Sequence, residues 1–254
     1  MKKIRIIPRL DIKNDTVVKG IHLEGLRVVG RPDEFAYQYF REGADELLYI
    51  DTVASLYERN SLNDIISKAA QKIFIPMTVG GGIRKLEDIT MILNSGADKV
   101  AINTAAIRRP AFLNDAVKKF GAQCIVLSVQ AKKIAHMRWE AYTEAGREKS
   151  GQDVLAWLEE ALALGVGEVL LTSVDCDGTK RGIDIDLIRM VAPRCPVPLI
   201  ISGGVGKQDD VLAAFQIPGV DAVAVGSAYH YHMISLSETK AFLFEHGINV
   251  RMPS

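Results

Sequence analysis

The sequence predicts a single closed (β/α)8 barrel, the TIM-barrel form of the α/β class, assembled from two related halves of about 1–121 and 122–254. Short, β-branched apolar segments alternate with amphipathic ones along the whole chain, which argues for one parallel sheet covered on both faces. The chain also says nearly the same thing twice. Residues 75–104 read IPMTVGGGIRKLEDITMILNSGADKVAINT, and residues 197–227 read VPLIISGGVGKQDDVLAAFQIPGVDAVAVGS. Gly81 answers to Gly203 and Asp98 to Asp221, offsets of 122 and 123 residues, while DELLYIDTVAS from Asp45 matches GEVLLTSVDCD from Gly167. Finally, 254 residues is close to the roughly 250 that such barrels use. An open doubly wound sheet would also alternate, but a half-length repeat favours closure.

In chain order, strands are expected at Ile4–Leu10, Leu47–Asp51, Ile75–Val79, Lys99–Asn103, Ala122–Val129, Glu168–Ser173, Val197–Ser202 and Ala222–Gly226. Helical patterns follow near Glu34–Arg41, Leu62–Gln71, Leu86–Asn94, Ala111–Phe120, Val154–Ala163, Ile185–Val191, Asp209–Phe215 and Ser237–Glu245. Pro76, Pro196 and Pro198 fall at strand starts, where a missing backbone donor is tolerated. Trp157 sits on the fifth helix as a packing residue. No Pro/Ser-rich linker divides the chain. Two connections exceed what packing requires, 12–32 after strand 1 and 131–152 after strand 5. Both leave strand C-termini, the face where barrel enzymes build their sites. TVVKGIHL and HMRWEAYTE within them alternate enough to be hairpin arms.

Charge narrows the function classes. Thirty-one basic and 31 acidic residues give a formal net charge of zero, and nothing suggests a nucleic acid or an anionic membrane. The start MKKIRIIPRLD is basic, but Pro8, Arg9 and Asp11 interrupt its apolar stretch. It does not read as a signal peptide, and no segment reaches the roughly 18 apolar residues of a membrane helix. Cys124, Cys176 and Cys195 are widely spaced, as expected of reduced thiols in a cytoplasmic protein. His230 and His232 alternate, yet no carboxylate or cysteine partner stands nearby, so they read as residues of the strand 8 loop; no metal and no cofactor is expected.

The glycine-rich turns carry chemistry. Gly80–Gly82 and Gly203–Gly204 follow strands 3 and 7, where glycine lets backbone N–H groups approach an anion without a Cβ in the way. Asn103–Thr104 and Gly226–Ser227 follow strands 4 and 8 and add side-chain donors. One such turn is weak evidence. A symmetric pair points to a ligand with two phosphates, one after strands 7 and 8 as recurs in this fold.

With LDIKNDTVVKG, VGGGI, GADKVAINTAA, LLTSVDCDGTKRG, SGG and HGINVR in place, the chain resembles the cyclase subunits of imidazole glycerol phosphate synthase over essentially its whole length. VGGGI and SGG alone are shared with a related isomerase. The resemblance implies a barrel that takes ammonia from a separate glutaminase subunit. It adds the ammonia to a doubly phosphorylated ribulosyl aminoimidazole carboxamide precursor, releasing imidazole glycerol phosphate and an aminoimidazole carboxamide ribotide in histidine biosynthesis. It implies Asp11 as the acid/base and Lys19 on the lid after strand 1. Gly82, Asn103 and Thr104 would hold one phosphate; Asp177, Gly178, Gly204, Gly226 and Ser227 would hold the other. Asp51 and Thr172 or Ser173 would line the pocket between them. Arg5, Glu46, Lys99 and Glu168, near strand N-termini, would form a charged ring that admits ammonia.

The chain departs from that pattern on the active face. The resemblance puts a second catalytic carboxylate at the end of strand 5, where RLDIK is mirrored by SVQAK and the residue is Gln130. An amide cannot shuttle a proton near neutral pH, and losing a general acid or base costs roughly 10²–10⁴ in rate. Arg9 stands where a small thiol is more usual, and His136, Arg138 and Trp139 are unlike the family's strand 5 loop. Three readings follow: a cyclase in which Asp11 suffices or His136 substitutes; a paralogue passing ammonia to another amidation, such as that of a surface-glycan sugar; or a non-catalytic subunit that binds a phosphorylated ligand and stimulates a glutaminase.

Overall fold

The computed structural model of the chain describes residues 3–53 and 62–252. The first two residues of the basic start, and Ala54 and Ser55 at the end of the Asp45 repeat, lie outside them.

Eight parallel strands close the barrel: β1 (Arg5–Lys13), β4 (Leu47–Asp51), β5 (Met77–Gly80), β6 (Lys99–Ile102), β7 (Ile125–Ala135), β10 (Glu168–Ser173), β11 (Leu199–Ser202) and β12 (Ala222–Val225). Each pairs with its neighbours in that order, and β12 returns to β1 with Arg5 opposite Ala222. Helices α1 (Pro32–Arg41), α2 (Asn63–Ala70), α3 (Leu86–Asn94), α4 (Thr104–Arg108), α5 (Ala111–Phe120), α6 (Val154–Ala163), α7 (Ile185–Val191), α8 (Gln208–Phe215), α9 (Ser227–His230) and α10 (Leu236–Glu245) cover the outside. Ile7, Leu48, Ala101, Val126, Leu170, Ile200, Ala222 and Ala224 fill the interior. The alternate residues of these strands, with helix residues such as Trp157, Leu187 and Val211, make a second apolar layer outside. The period of two thus sends one set of side chains inward and the other to the helices.

Both long connections are hairpins, as their alternation suggested. β2 (Thr16–Ile21) and β3 (Glu24–Gly30) run antiparallel from the end of β1. β8 (Arg138–Thr143) and β9 (Glu148–Asp153) do the same from β7. Strand 5 accordingly runs well past Val129, because β8 gives its extension a partner. It also starts later than expected: Gly121, at φ +87°, turns the chain, and Ala122–Cys124 forms a short 3-10 turn. Strands 3 and 7 start two residues late, after Pro76 and Pro198, whose carbonyls accept from Leu47 and Val169 N–H (both 2.9 Å).

The repeat is a repeat of backbone. Gly81 and Gly203 have φ +99° and +100°. Lys85 and Lys207 start their helices at φ −145° with ψ 164° and 167°. Asn103 and Gly226 start α4 and α9 at φ −122°, ψ −87° and φ −112°, ψ −83°. Asp98 accepts from Met77 N–H at 2.8 Å, as Asp221 does from Leu199 N–H at 2.9 Å. Among the described residues no helix is long and apolar enough to cross a membrane.

Candidate functional site: two phosphate cradles at the barrel mouth

Inward residues at the C-terminal ends of the strands build the site. On β1, Arg9 and Asp11 both point inward because they are two residues apart. Arg9 Nε donates to Asp11 at 2.8 Å, and Nη1 donates to Ser202 Oγ at 3.0 Å and Thr172 Oγ1 at 3.2 Å. Lys19, carried in by β2, lies 2.5 Å from Asp11 and 3.0 Å from Asp177. All four charged residues are at most 3 % exposed. Two cations against two carboxylates leave the cluster neutral, the condition under which buried charge is tolerated. Burial alone would raise the Asp11 pKa, but Arg9 and then Lys19 outweigh it and hold the carboxyl at about 2. Burial works to lower the Lys19 pKa, and Asp11 and Asp177 reverse this so that it is raised.

Asp177, Gly178, Gly203, Gly204, Gly226 and Ser227 surround the second cradle with Arg9 and Lys19. The β2–β3 hairpin is shut over it: His22 N–H donates to the Asp177 carbonyl at 2.8 Å, and the remaining space is about 10 Å³, room for one water. The glycines are needed for approach. A Cβ on Gly178 would lie 2.0 Å from the Gly20 carbonyl oxygen, and one on Gly204 would lie 2.0 Å from that of Gly182.

The first cradle is open, with a cavity of about 310 Å³ lined by Asp51, Gly81, Gly82, Asn103, Thr104 and Gln130. Arg84, Arg108, Arg109 and Glu144 complete its walls. The tip of the β8–β9 hairpin leans in: Glu144 N–H donates to Thr104 Oγ1 at 3.1 Å, and Asn103 Nδ2 donates to the Tyr142 carbonyl at 3.0 Å.

At the opposite end of the barrel, Arg5, Glu46, Lys99 and Glu168 form a closed ring of alternating sign. Arg5 reaches Glu46 at 2.9 Å and Glu168 at 2.5 Å; Lys99 reaches them at 2.7 and 2.6 Å. Thr78 also donates to Glu46.

This geometry has relatives. The family model for histidine biosynthesis protein matches residues 5–235. Imidazole glycerol phosphate synthase subunit HisF of Legionella pneumophila is 51 % identical over 210 residues, 83 % of this chain and 99 % of that protein. The HisF subunits of Streptococcus mutans and Streptococcus sanguinis are 43 % and 44 % identical over 99 % of this chain and their full lengths. The chain belongs to the histidine biosynthesis protein family. Its resemblance to the cyclase subunits of that family therefore holds across the whole barrel.

Most residues singled out in the sequence gather at these family cradles, and a few do not. Thr172 faces inward to Arg9, but its neighbour Ser173 faces the helices, where its hydroxyl lies 3.3 Å from Asp184, an acceptor shared with Trp139 Nε1 at 3.0 Å. Ser173 is therefore no pocket residue. Lys19 does sit on the hairpin over the second cradle, where it is buried against Asp11 and Asp177. His136 stands exposed on the β7–β8 turn and lines neither cradle, so it cannot stand in for a lost carboxylate. His230 is no loop residue: it closes α9, with Nδ1 2.8 Å from Tyr39 Oη and Nε2 2.9 Å from the Arg9 carbonyl. His232 is exposed, and among the described residues no cluster could hold a metal. Sequence reasoning missed Arg84, Arg108, Arg109 and Glu144. The arginines follow the glycine turn and Thr104 closely enough to have been found, whereas nothing local marks Glu144.

Proposed function

We propose that the chain is a cytoplasmic cyclase subunit of imidazole glycerol phosphate synthase in histidine biosynthesis, fed with ammonia by a glutaminase subunit docked over the Arg5–Glu46–Lys99–Glu168 ring. The observation that carries this is Asp11, a buried carboxylate held by Arg9 and Lys19 at the edge of the second cradle, in a barrel mouth that carries two cradles of the same backbone design. The precursor's phosphates would occupy the cradles and its reacting centre the space between. Gly82, Asn103 and Thr104 receive one phosphate; Gly178, Gly204, Gly226 and Ser227 receive the other.

Lys19 couples binding to chemistry. A phosphate in the second cradle draws the ammonium group away from Asp11, and the loss of that cation raises the Asp11 pKa toward the range where a carboxylate exchanges protons usefully. Ammonia addition, ring closure and fragmentation each move a proton, and Asp11 serves them in turn. Gln130 opposite offers hydrogen bonds but no proton, so turnover is slow. Steady-state product formation at saturating ammonium tests the assignment. Wild type should be active, and Asp11→Asn should lose roughly 10²–10⁴ of the rate. Failure of wild type to bind the precursor would sink the cyclase assignment and leave ammonia delivery to another acceptor.

A further inference from the structure

The two cations on Asp11 differ in how they are held. Lys19 Nζ takes Oδ2 from the β2–β3 hairpin and is shared with Asp177 at 3.0 Å. Its stem is a flexible chain that ends in a point charge. Arg9 Nε takes Oδ1 at 2.8 Å from a barrel strand, and its Nη1 is fixed across the barrel by Ser202 Oγ at 3.0 Å and Thr172 Oγ1 at 3.2 Å. Ser202 ends β11 and leads straight into Gly203 and Gly204; Thr172 is its register partner on β10. The Arg9 carbonyl is held as well, 2.9 Å from Nε2 of His230 on α9, whose N-cap is Gly226. A planar guanidinium with three fixed partners keeps its direction and cannot lose its proton. An anion in the second cradle therefore draws Lys19 away and leaves Arg9 in place.

We infer that Arg9 is a positioning residue: it braces Asp11 by Oδ1 against the strands that carry the second cradle and reserves Oδ2 for proton transfer. With Lys19 displaced, Oδ2 is the oxygen left without a cation, and it faces the place where Lys19 stood. The other charged or titratable groups around Asp11 are Asp177, on the far side of Lys19, and His230. The histidine is neutral at working pH, because burial lowers its pKa to about 4. The permanent charge on Arg9 keeps Asp11 ionised, so Asp11 enters each turnover as a base and acts as an acid only with a proton it has just taken. This deepens the proposed function, since it rests on Asp11 being the acid/base.

Carboxyl 13C NMR, with the Asp11 signal assigned from Asp11→Asn, reads this directly between about pH 7 and pH 4. Inorganic phosphate is the probe that fills the second cradle, and the Gly203 and Gly204 amides report its arrival. Wild-type Asp11 should not titrate in that range, with or without phosphate. In Arg9→Met with phosphate it should titrate inside the range, since losing an opposite charge raises a carboxyl by about 1–3 pH units. In ammonium-driven turnover the acid limb of kcat/KM should rise by a similar amount in Arg9→Met. Arg9→Lys, which keeps the charge but not the fork, should hold the limb and lower kcat roughly tenfold through misplacement of the carboxylate. A structural prop would instead lower the rate equally at every pH. Titration of wild-type Asp11 in this range once phosphate binds, or its silence in Arg9→Met, would overturn the inference. Should Arg9→Met fail to fold, Ser202→Ala with Thr172→Val frees the far end of the guanidinium: kcat should fall with KM and the acid limb unmoved, and an unchanged kcat would overturn the brace. The NMR readout needs no turnover, so an inactive wild type would sink the cyclase reading while the titration still decides this one.

Discussion

Over the second cradle the β2–β3 hairpin lays a lysine, and over the first the β8–β9 hairpin lays a glutamate. The backbones beneath agree to within a few degrees at Gly81 and Gly203, and at Lys85 and Lys207. Side chains do most to set the halves apart, although Gly82 and Gly204 also differ, at φ +69° and +99°. The second holds Arg9, Lys19, Asp11 and Asp177 in mutual pairs around almost no free space; the first surrounds an open cavity of about 310 Å³. Duplication conserves what the turns demand of the main chain, and each half is then free to alter the charge brought over it. One cradle is filled by its own ion pairs, and the other is left open.

The comparison breaks most easily where the second cradle is tight. Gly204→Asp puts a side chain at φ +99° and 2.0 Å from the Gly182 carbonyl oxygen, so a stability loss of roughly 4 kcal/mol is expected from strain and overlap together. Chemical denaturation measures it, and calorimetry with a diphosphorylated ligand should show binding lost. Unchanged affinity would refute the cradle. At the other end of the barrel, Lys99→Glu would leave Arg5 alone among three carboxylates, at a cost of about 3 kcal/mol. If the ring is the ammonia inlet, glutamine-driven turnover should fall further than ammonium-driven turnover; equal losses would mean that ammonia takes another way in.

Gln130→Asp tests whether the asymmetry at the mouth is loss or adaptation. It restores a proton carrier opposite Asp11, and if the two-carboxylate chemistry has lapsed in this chain, ammonium-driven turnover should rise by roughly 10². No rise, with Asp11→Asn still inactive, would show that Asp11 alone suffices.

Legibility followed the same division. The barrel and both cradles could be read because a repeat in sequence is a repeat of main-chain geometry, whereas the bottom ring of Arg5, Glu46, Lys99 and Glu168 was legible only through the family resemblance. Ser173 was misread beside Thr172 because period two assigns opposite faces to neighbours, and the phase of β10 is fixed only by its pairing with β7 and β11. Lys19 and Glu144 depend on where hairpins fold back, a long-range packing outcome with no local signal. Their charges were visible, but their burial was not.

The smallest expected effect lies beneath the second cradle, at His230. Its pseudo-symmetric mate is Ile107, so only the second half has a titratable group there. Burial, reinforced by Lys19, lowers its pKa from 6.5 to about 4. The folded state therefore favours the neutral ring, wedged between the Tyr39 hydroxyl and the Arg9 carbonyl. The unfolded chain binds the extra proton first as pH falls. The stabilising effect is whole above about pH 6.5 and drains away toward pH 4, which amounts to about 2 kcal/mol between pH 7 and pH 5. Urea denaturation at those two values, on wild type and His230→Gln, isolates the effect. The variant should be weaker at pH 7, having lost the ring's packing against Phe35, yet should lack this part of the pH slope. If the slopes of the two proteins coincide, His230 is not the group that titrates. Asp11, with its carboxyl held at about 2, titrates below this window and could not supply the slope instead.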